Sequence, residues 1–201
     1  MKVNRHGQAK VLSEKEIQTL LRKGLTDPKY QVVFQLMLFT GCRVSEACTL
    51  HMSDVYEVDA EGNVKTTGKK SRLRYLVRDV ITFRRANTKG AISTRSIPTH
   101  PSLKAALETH KPGSAHVFES TETGKPMLRR TVDYAFRDAF KLCRIQGAST
   151  HSLRRTAITR LHAVGVGLRT IQRISGHRSL AALQRYIDVS DEQVSAAINL
   201  L

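Results

Sequence analysis

The chain has 201 residues, 40% of them hydrophobic, which is ample material for one buried core and excludes anything beyond a single domain with a small appendage. Its 33 basic residues against 17 acidic ones give a net charge of +16, an imbalance that points to a polyanionic partner, nucleic acid being the commonest. No apolar run approaches a spanning length and no signal-peptide pattern opens the chain, so a membrane partner is excluded and a soluble, cytoplasmic protein is expected. The three cysteines, Cys42, Cys48 and Cys143, form no C-x-x-C pair and are odd in number, which argues against a disulfide framework or a zinc ribbon. Cys42 and Cys48 lie in apolar surroundings and are expected to be core thiols. None of the eight histidines pairs with a carboxylate or cysteine at ligand spacing, and no metal or other cofactor is expected.

In chain order, residues 1–12 are basic and polar and read as a flexible arm. Ser13-Glu14-Lys15-Glu16 is a capping box, predicting a helix with Ile17, Leu20 and Leu21 on its buried face until Gly24. Asp27-Pro28 opens a second helix whose YQVVFQLMLF run is apolar nearly all round, the pattern of a central core helix. Gly41 ends it, and RVSEACTLHMSDV starts the next helix at once, with Arg43 at its beginning and Glu46 one turn later on the same face. Glu46 is expected to hold the Arg43 guanidinium side-on while its other edge stays open to an anion. Taken alone, such a pair is usually a solvated contact of small value, but the apolar Ala47 and Leu50 beside it make full exposure a poor fit.

From Val55 to Pro98 the pattern turns from helical to extended. Residues 75–77, 80–83 and 93–97 read as strands, Asn87-Thr88-Lys89-Gly90 as a hairpin tip, and the basic run KTTGKKSRLR as a segment able to lie on a phosphate backbone. Lys89 at a ribbon tip is most often simply solvated, though such a tip can also enter a groove of DNA. A short helix follows over 101–110, then a helix over about 129–143 packing Val132, Phe136 and Phe140. Two further helices, 152–164 and 168–175, end at Gly165 and Gly176. The tail DEQVSAAINLL is a short amphipathic helix.

The densest chemistry lies between His151 and Tyr186. Residues three apart share a helix face, so His151 and Arg154 can point at one target. Nine residues separate His177 from Tyr186, which would place them on opposite faces of a continuous helix, so they converge only if the chain breaks between them. Gly176 as terminator and Ser179 as cap of a new helix supply that break. Each residue alone has an ordinary role as surface charge, cap, loop histidine or half-buried ring. The departure is that Arg154 and Arg155 fall in the first helical turn, where the dipole disfavours cations unless an anion binds there.

Arg43 with Glu46, Lys89, His151 with Arg154, His177 and Tyr186 occur in that order within TGCRVSEACTL, NTKGAISTRSIP and THSLRRTAITRLHAVGVGLRTIQRISGH, followed by the spacing to Tyr186. In these motifs, over nearly the whole chain, the sequence resembles the tyrosine recombinases, the phage-integrase family. The resemblance implies an α+β fold, mainly α-helical with a small antiparallel β-sheet, spanning 13–189 between the arm and a 190–201 helix that docks on its own domain or on a neighbouring protomer. It implies a metal-independent site-specific recombinase acting through a covalent 3′-phosphotyrosine on double-stranded DNA, monomeric when free and tetrameric on synapsed DNA. Such a protein would be nucleoid-associated and of prokaryotic, phage or plasmid origin. Tyr186 would be the nucleophile, Arg43 and Arg154 the ligands of the non-bridging oxygens, and His177 their support. His151 would manage the tyrosine proton, Lys89 would protonate the leaving 5′-oxygen, and Glu46 would orient Arg43.

Integrases of this family usually carry a further N-terminal DNA-clamping domain, so the chain is expected to be a catalytic fragment or a short single-domain member. Ser175 stands where many relatives have leucine, a change expected to touch no reacting group. The segment from Glu57 to Arg74 looks longer than in compact relatives. Two rival functions stand beside this one: nicking and closing of one strand by the same chemistry, in the manner of a type IB topoisomerase, and DNA binding without catalysis by a regulator that keeps the fold, against which the complete residue set argues.

Overall fold

The computed structural model describes residues 8–69, 72–87, 93–122, 124–187, 194–195 and 198–199. Helix α1, Glu14–Thr19, starts at the predicted capping box: Ser13 Oγ accepts from the Glu16 N–H and Glu16 returns a bond to the Ser13 N–H. It runs on as one π turn over Leu20–Gly24. The arm ahead of it is docked over its last residues: Leu12 is buried, with its N–H on Thr156 Oγ1, and the Lys10 N–H bonds the Gly147 carbonyl. An apolar residue beside a hydroxyl acceptor outweighs the basic composition of this stretch. Residues 1–7 lie outside the described residues.

Helix α2, Pro28–Thr40, is capped by Asp27 Oδ1 on the Lys29 N–H and buries Val32, Val33, Phe34, Leu36, Met37 and Leu38, as expected of a central helix. Gly41 closes it in the left-handed conformation, φ 61°, which a side chain would strain. Helix α3 is short, Val44–Cys48, and gives way to a 3-10 turn over Met52–Asp54. Burial pushes both Cys42 and Cys48 up to about 12, as befits inert core thiols.

The extended region forms two separate two-stranded antiparallel ladders. One pairs β1, Thr66–Thr67, with β2, Arg74–Tyr75. The other pairs β3, Val80–Phe83, with β4, Arg95–Pro98, in the register Phe83 to Arg95. Period-two alternation sends Ile81, Phe83, Arg95 and Ile97 to the buried face. The tip between these strands, with Lys89, lies outside the described residues.

Helices α4, Pro101–Thr109, and α5, Arg129–Leu142, complete the main core, the latter through Val132, Phe136 and Phe140. Helix α6, Thr150–Ala163, packs on α2, and α7, Leu168–Ser175, packs on α6 and β4. Helix α8, Leu180–Gln184, begins at the predicted Ser179 cap, whose hydroxyl accepts from the Ala182 N–H. Beyond it, Val194 and Ile198 are exposed, while Ala197 and Leu201 of the tail stripe lie outside the described residues.

Candidate active site

Arg43 is the N-cap residue of α3 and is half-buried. Glu46, on the next turn, is fully buried, and besides the expected Arg43 it holds a second guanidinium. Its carboxylate forks onto Arg95, Oε1 to Nη1 at 2.9 Å and Oε2 to Nη2 at 3.1 Å. The Arg43 guanidinium lies farther off, Nη1 at 3.6 Å from Oε1, while the Arg43 backbone N–H donates to Oε2 at 2.6 Å. Burial works to raise the Glu46 pKa, but the Arg95 bonds and charge, with help from Arg43, hold it below the usual carboxylate range. Arg95 was not among the residues singled out from the sequence. Its signal was the strand alternation that puts it on the inner face with Ile97.

Arg154 departs from expectation. Because α6 begins at Thr150, Arg154 sits in the second turn, past the reach of the N-terminal dipole. Its guanidinium, 3% exposed for the residue, instead donates through Nη1 to the Gly41 carbonyl at 2.7 Å and the Ser175 carbonyl at 2.6 Å. Both carbonyls lie at helix C-termini, those of α2 and α7, where the dipole favours a cation. Burial and then the Arg43 charge push Arg154 down to about 10, which leaves it charged at neutral pH. Both Nη1 protons are spent on carbonyls, so an anion would be met through Nη2 and Nε.

His177 follows Gly176, which ends α7 at φ 66° and turns the chain back. Arg154 Nη2 lies 3.0 Å from its Nε2 and 3.1 Å from its Nδ1, and Ser175 Oγ lies 2.7 Å from Nδ1. Ser175 Oγ also donates to the Ile171 carbonyl at 2.7 Å. A neutral ring with its Nδ1–H on Ser175 Oγ and Nε2 accepting from Arg154 uses all of these groups. Ser175, expected to touch no reacting group, therefore contacts two of the singled-out residues, one by its hydroxyl and one by its carbonyl. Burial, followed by the charges of Arg154, Arg43 and Arg95, pushes the imidazole down to about 3, so it is neutral at physiological pH.

The break at Gly176 and Ser179 brings Tyr186 back as predicted: its ring centroid is 5.1 Å from that of His177. Its carbonyl accepts from Thr159 Oγ1 at 3.3 Å, tying the segment to α6. An ionised Tyr186 would stabilise the Arg154 cation, so the two groups share one field. His151 is exposed on the first turn of α6, whereas Arg154 three residues later is buried. A cleft of about 470 Å³ opens between β4 and α7, lined by Arg95, Arg169, Arg173 and His177 among others, with no carboxylate among the described residues of its walls. Among the described residues no group of three or more His, Cys, Asp or Glu side chains could hold a metal ion, and no helix is long and apolar enough to cross a membrane.

The sequence and the fold have known counterparts. The chain is 31% identical over 179 residues to the tyrosine recombinase XerC of Staphylococcus haemolyticus, covering 86% of this chain and 52% of that protein. It thus spans about half the length of such curated relatives. Its fold matches the crystal structure of XerA recombinase with a TM-score of 0.71 at 23% identity, over 97% of this chain and 66% of that one. It also matches the lambda integrase dimer bound to a COC′ core site, TM-score 0.67 at 20% identity, over 91% of this chain and 49% of that one. Residues 10–193 match the phage integrase family, and the chain belongs to that family.

Proposed function

We propose that the chain is the catalytic part of a site-specific DNA recombinase that cuts and rejoins strands through a 3′-phosphotyrosine. One observation carries this: Arg154, His177 and Tyr186 form a continuous chain of contacts, with Arg43 near enough to depress the pKa of both Arg154 and His177. Two guanidiniums there can neutralise the charge that gathers on the non-bridging oxygens of a phosphodiester. Neutral His177 supports them without adding a third charge. Tyr186 Oη bonds to phosphorus as the P–O5′ bond breaks. His151 takes the phenol proton, and Lys89 gives one to the departing 5′-oxygen. A phenol with an ordinary pKa of about 10 needs such a positive field or a base to attack near neutral pH. The phosphotyrosyl ester keeps the energy of the broken diester, so a new 5′-hydroxyl can reverse the step without ATP.

Double-stranded DNA as partner is supported by the arginine-lined cleft, the charge of +16 and the DNA core site held by lambda integrase. The names of the matched relatives favour recombination over simple nicking and closing. We assign catalysis to 13–189, and four copies to the synapsed complex, with exposed Val194 and Ile198 of the tail packing on a neighbour. Deleting 190–201 should abolish self-association on DNA; unchanged assembly would refute that part.

For the chemistry, the protein is incubated in EDTA with supercoiled DNA carrying the sequence beside its own gene, then denatured. A protein–3′-DNA adduct is expected from the native chain and none from Tyr186→Phe. An adduct that survives in Tyr186→Phe would remove Tyr186 as nucleophile.

A further inference from the structure

Glu46 is a buried carboxylate between two arginines, and it does not treat them alike. Arg95 takes both of its oxygens, at 2.9 and 3.1 Å, while the nearest Arg43 guanidinium nitrogen stays 3.6 Å away. The Glu46 side chain is 0% exposed and that of Arg95 8%, against 27% for Arg43. Of the lone pairs on Oε2, one receives Arg95 Nη2 and another the Arg43 N–H at 2.6 Å.

Arg95 is fixed from its other sides as well. Its Nε donates to the Ile174 carbonyl at 3.1 Å, and its guanidinium carbon lies 4.5 Å from the centroid of the Phe83 ring. A Cβ at position 176 would come within 2.8 Å of Nη1, so glycine there leaves the guanidinium its room. The same side chain thus joins α3, the strand after the Lys89 tip and the last turn of α7.

A buried carboxylate takes the nearest cation it can reach, because an unpaired one is costly. We propose that Arg95 is a positioning residue: by saturating Glu46 it keeps that carboxylate from capturing Arg43, whose guanidinium keeps its partial exposure. The idea rests on Arg43 as a phosphate ligand and adds the reason it is available. Without Arg95, Glu46 closes on Arg43 and takes the donors a phosphate would use.

The test uses Arg95→Met and Arg95→Met with Glu46→Gln in the full chain. The Arg43 Nε–Hε NMR signal, assigned by its loss in Arg43→Lys, should shift in the single variant and return towards its native position in the double. Adduct formation should fall about tenfold or more in the single variant and recover several-fold in the double. A role limited to folding also predicts recovery in the double, because Glu46→Gln leaves no unpaired buried charge, but it predicts an Arg43 signal that keeps its native position in the folded single variant. An unmoved Arg43 signal, or a double variant as poor as the single, overturns the proposal. Should Arg95→Met not fold, Arg95→Lys keeps the charge but reaches one oxygen at a time, and the same shift should appear at smaller size. If the native chain forms no adduct while the Arg43 signal moves as described, the phosphotyrosine mechanism falls and the Arg95–Glu46–Arg43 relation stands.

Discussion

Arg154 and Tyr186 are in the same site but are held by different parts of the molecule. Arg154 follows Leu153 of the main core, where α2 and its neighbours bury Val33, Phe34, Leu36 and Met37, and it is pinned by carbonyls at two helix ends. Tyr186 packs at the rim of a second, small cluster built on Ile158, Ile171 and Leu183. The five-residue helix α8 before it adds little stability of its own. The proposed anion receptor is thus part of the main core, while the proposed nucleophile sits on a segment with a small cluster of its own. Such a segment opens at lower free energy than the core does. That division would suit the role proposed for Tyr186, which has to reach a phosphate.

The largest effect should come from the receptor. Arg154→Lys keeps a cation but cannot bridge both carbonyls and still present a fork. Adduct formation is expected to fall about 10²–10³-fold, measured by denaturing gel against the native chain. Leaving a buried carbonyl unsatisfied should also cost about 1–3 kcal/mol in urea unfolding. An Arg154→Lys protein that cuts normally would mean the receptor is not where charge develops.

A smaller effect follows from His177. Its folded pKa, about 3, lies below the ordinary 6.5. The unfolded chain therefore binds a proton at 177 in the window between those values and the folded chain does not. Stability from this group is full above about 6.5 and is lost as pH falls towards 3. The difference should be on the order of a few kcal/mol at most. His177→Gln should flatten the fall in stability across that window, read as urea midpoints from pH 7 to 4. Parallel curves for the two proteins would show that the ring is not held neutral.

Much of this arrangement was legible because it obeys local rules. Ser13 with Glu16, Asp27 with Pro28, and the Gly176–Ser179 break are short-range signals, and each was found where the residues placed it. The motifs around Arg43, Arg154, His177 and Tyr186 were equally readable, since the chain order of the chemistry is contained in them. What escaped was decided at long range. Arg95 meets Glu46 across 49 positions of sequence, and only the inward register of its strand hinted at a buried cation. Ser175 reaches the His177 ring because Gly176 takes a left-handed turn, which folds a hydroxyl under the residue two places on. The dipole argument for Arg154 failed by one helical turn. Helix α6 starts at Thr150, earlier than expected, and the charge is met by helix C-termini whose positions no local pattern reveals.

The division between a fixed receptor and a looser nucleophile is tested most directly by native-state hydrogen exchange on the DNA-free protein. Amides of Leu183 to Tyr186 should exchange through local opening, well below the free energy of global unfolding, while those in the middle of α2 and around Arg154 exchange only near that limit. Equal protection of the two sets would contradict the account, since Tyr186 would then be as firmly built in as the arginine it faces.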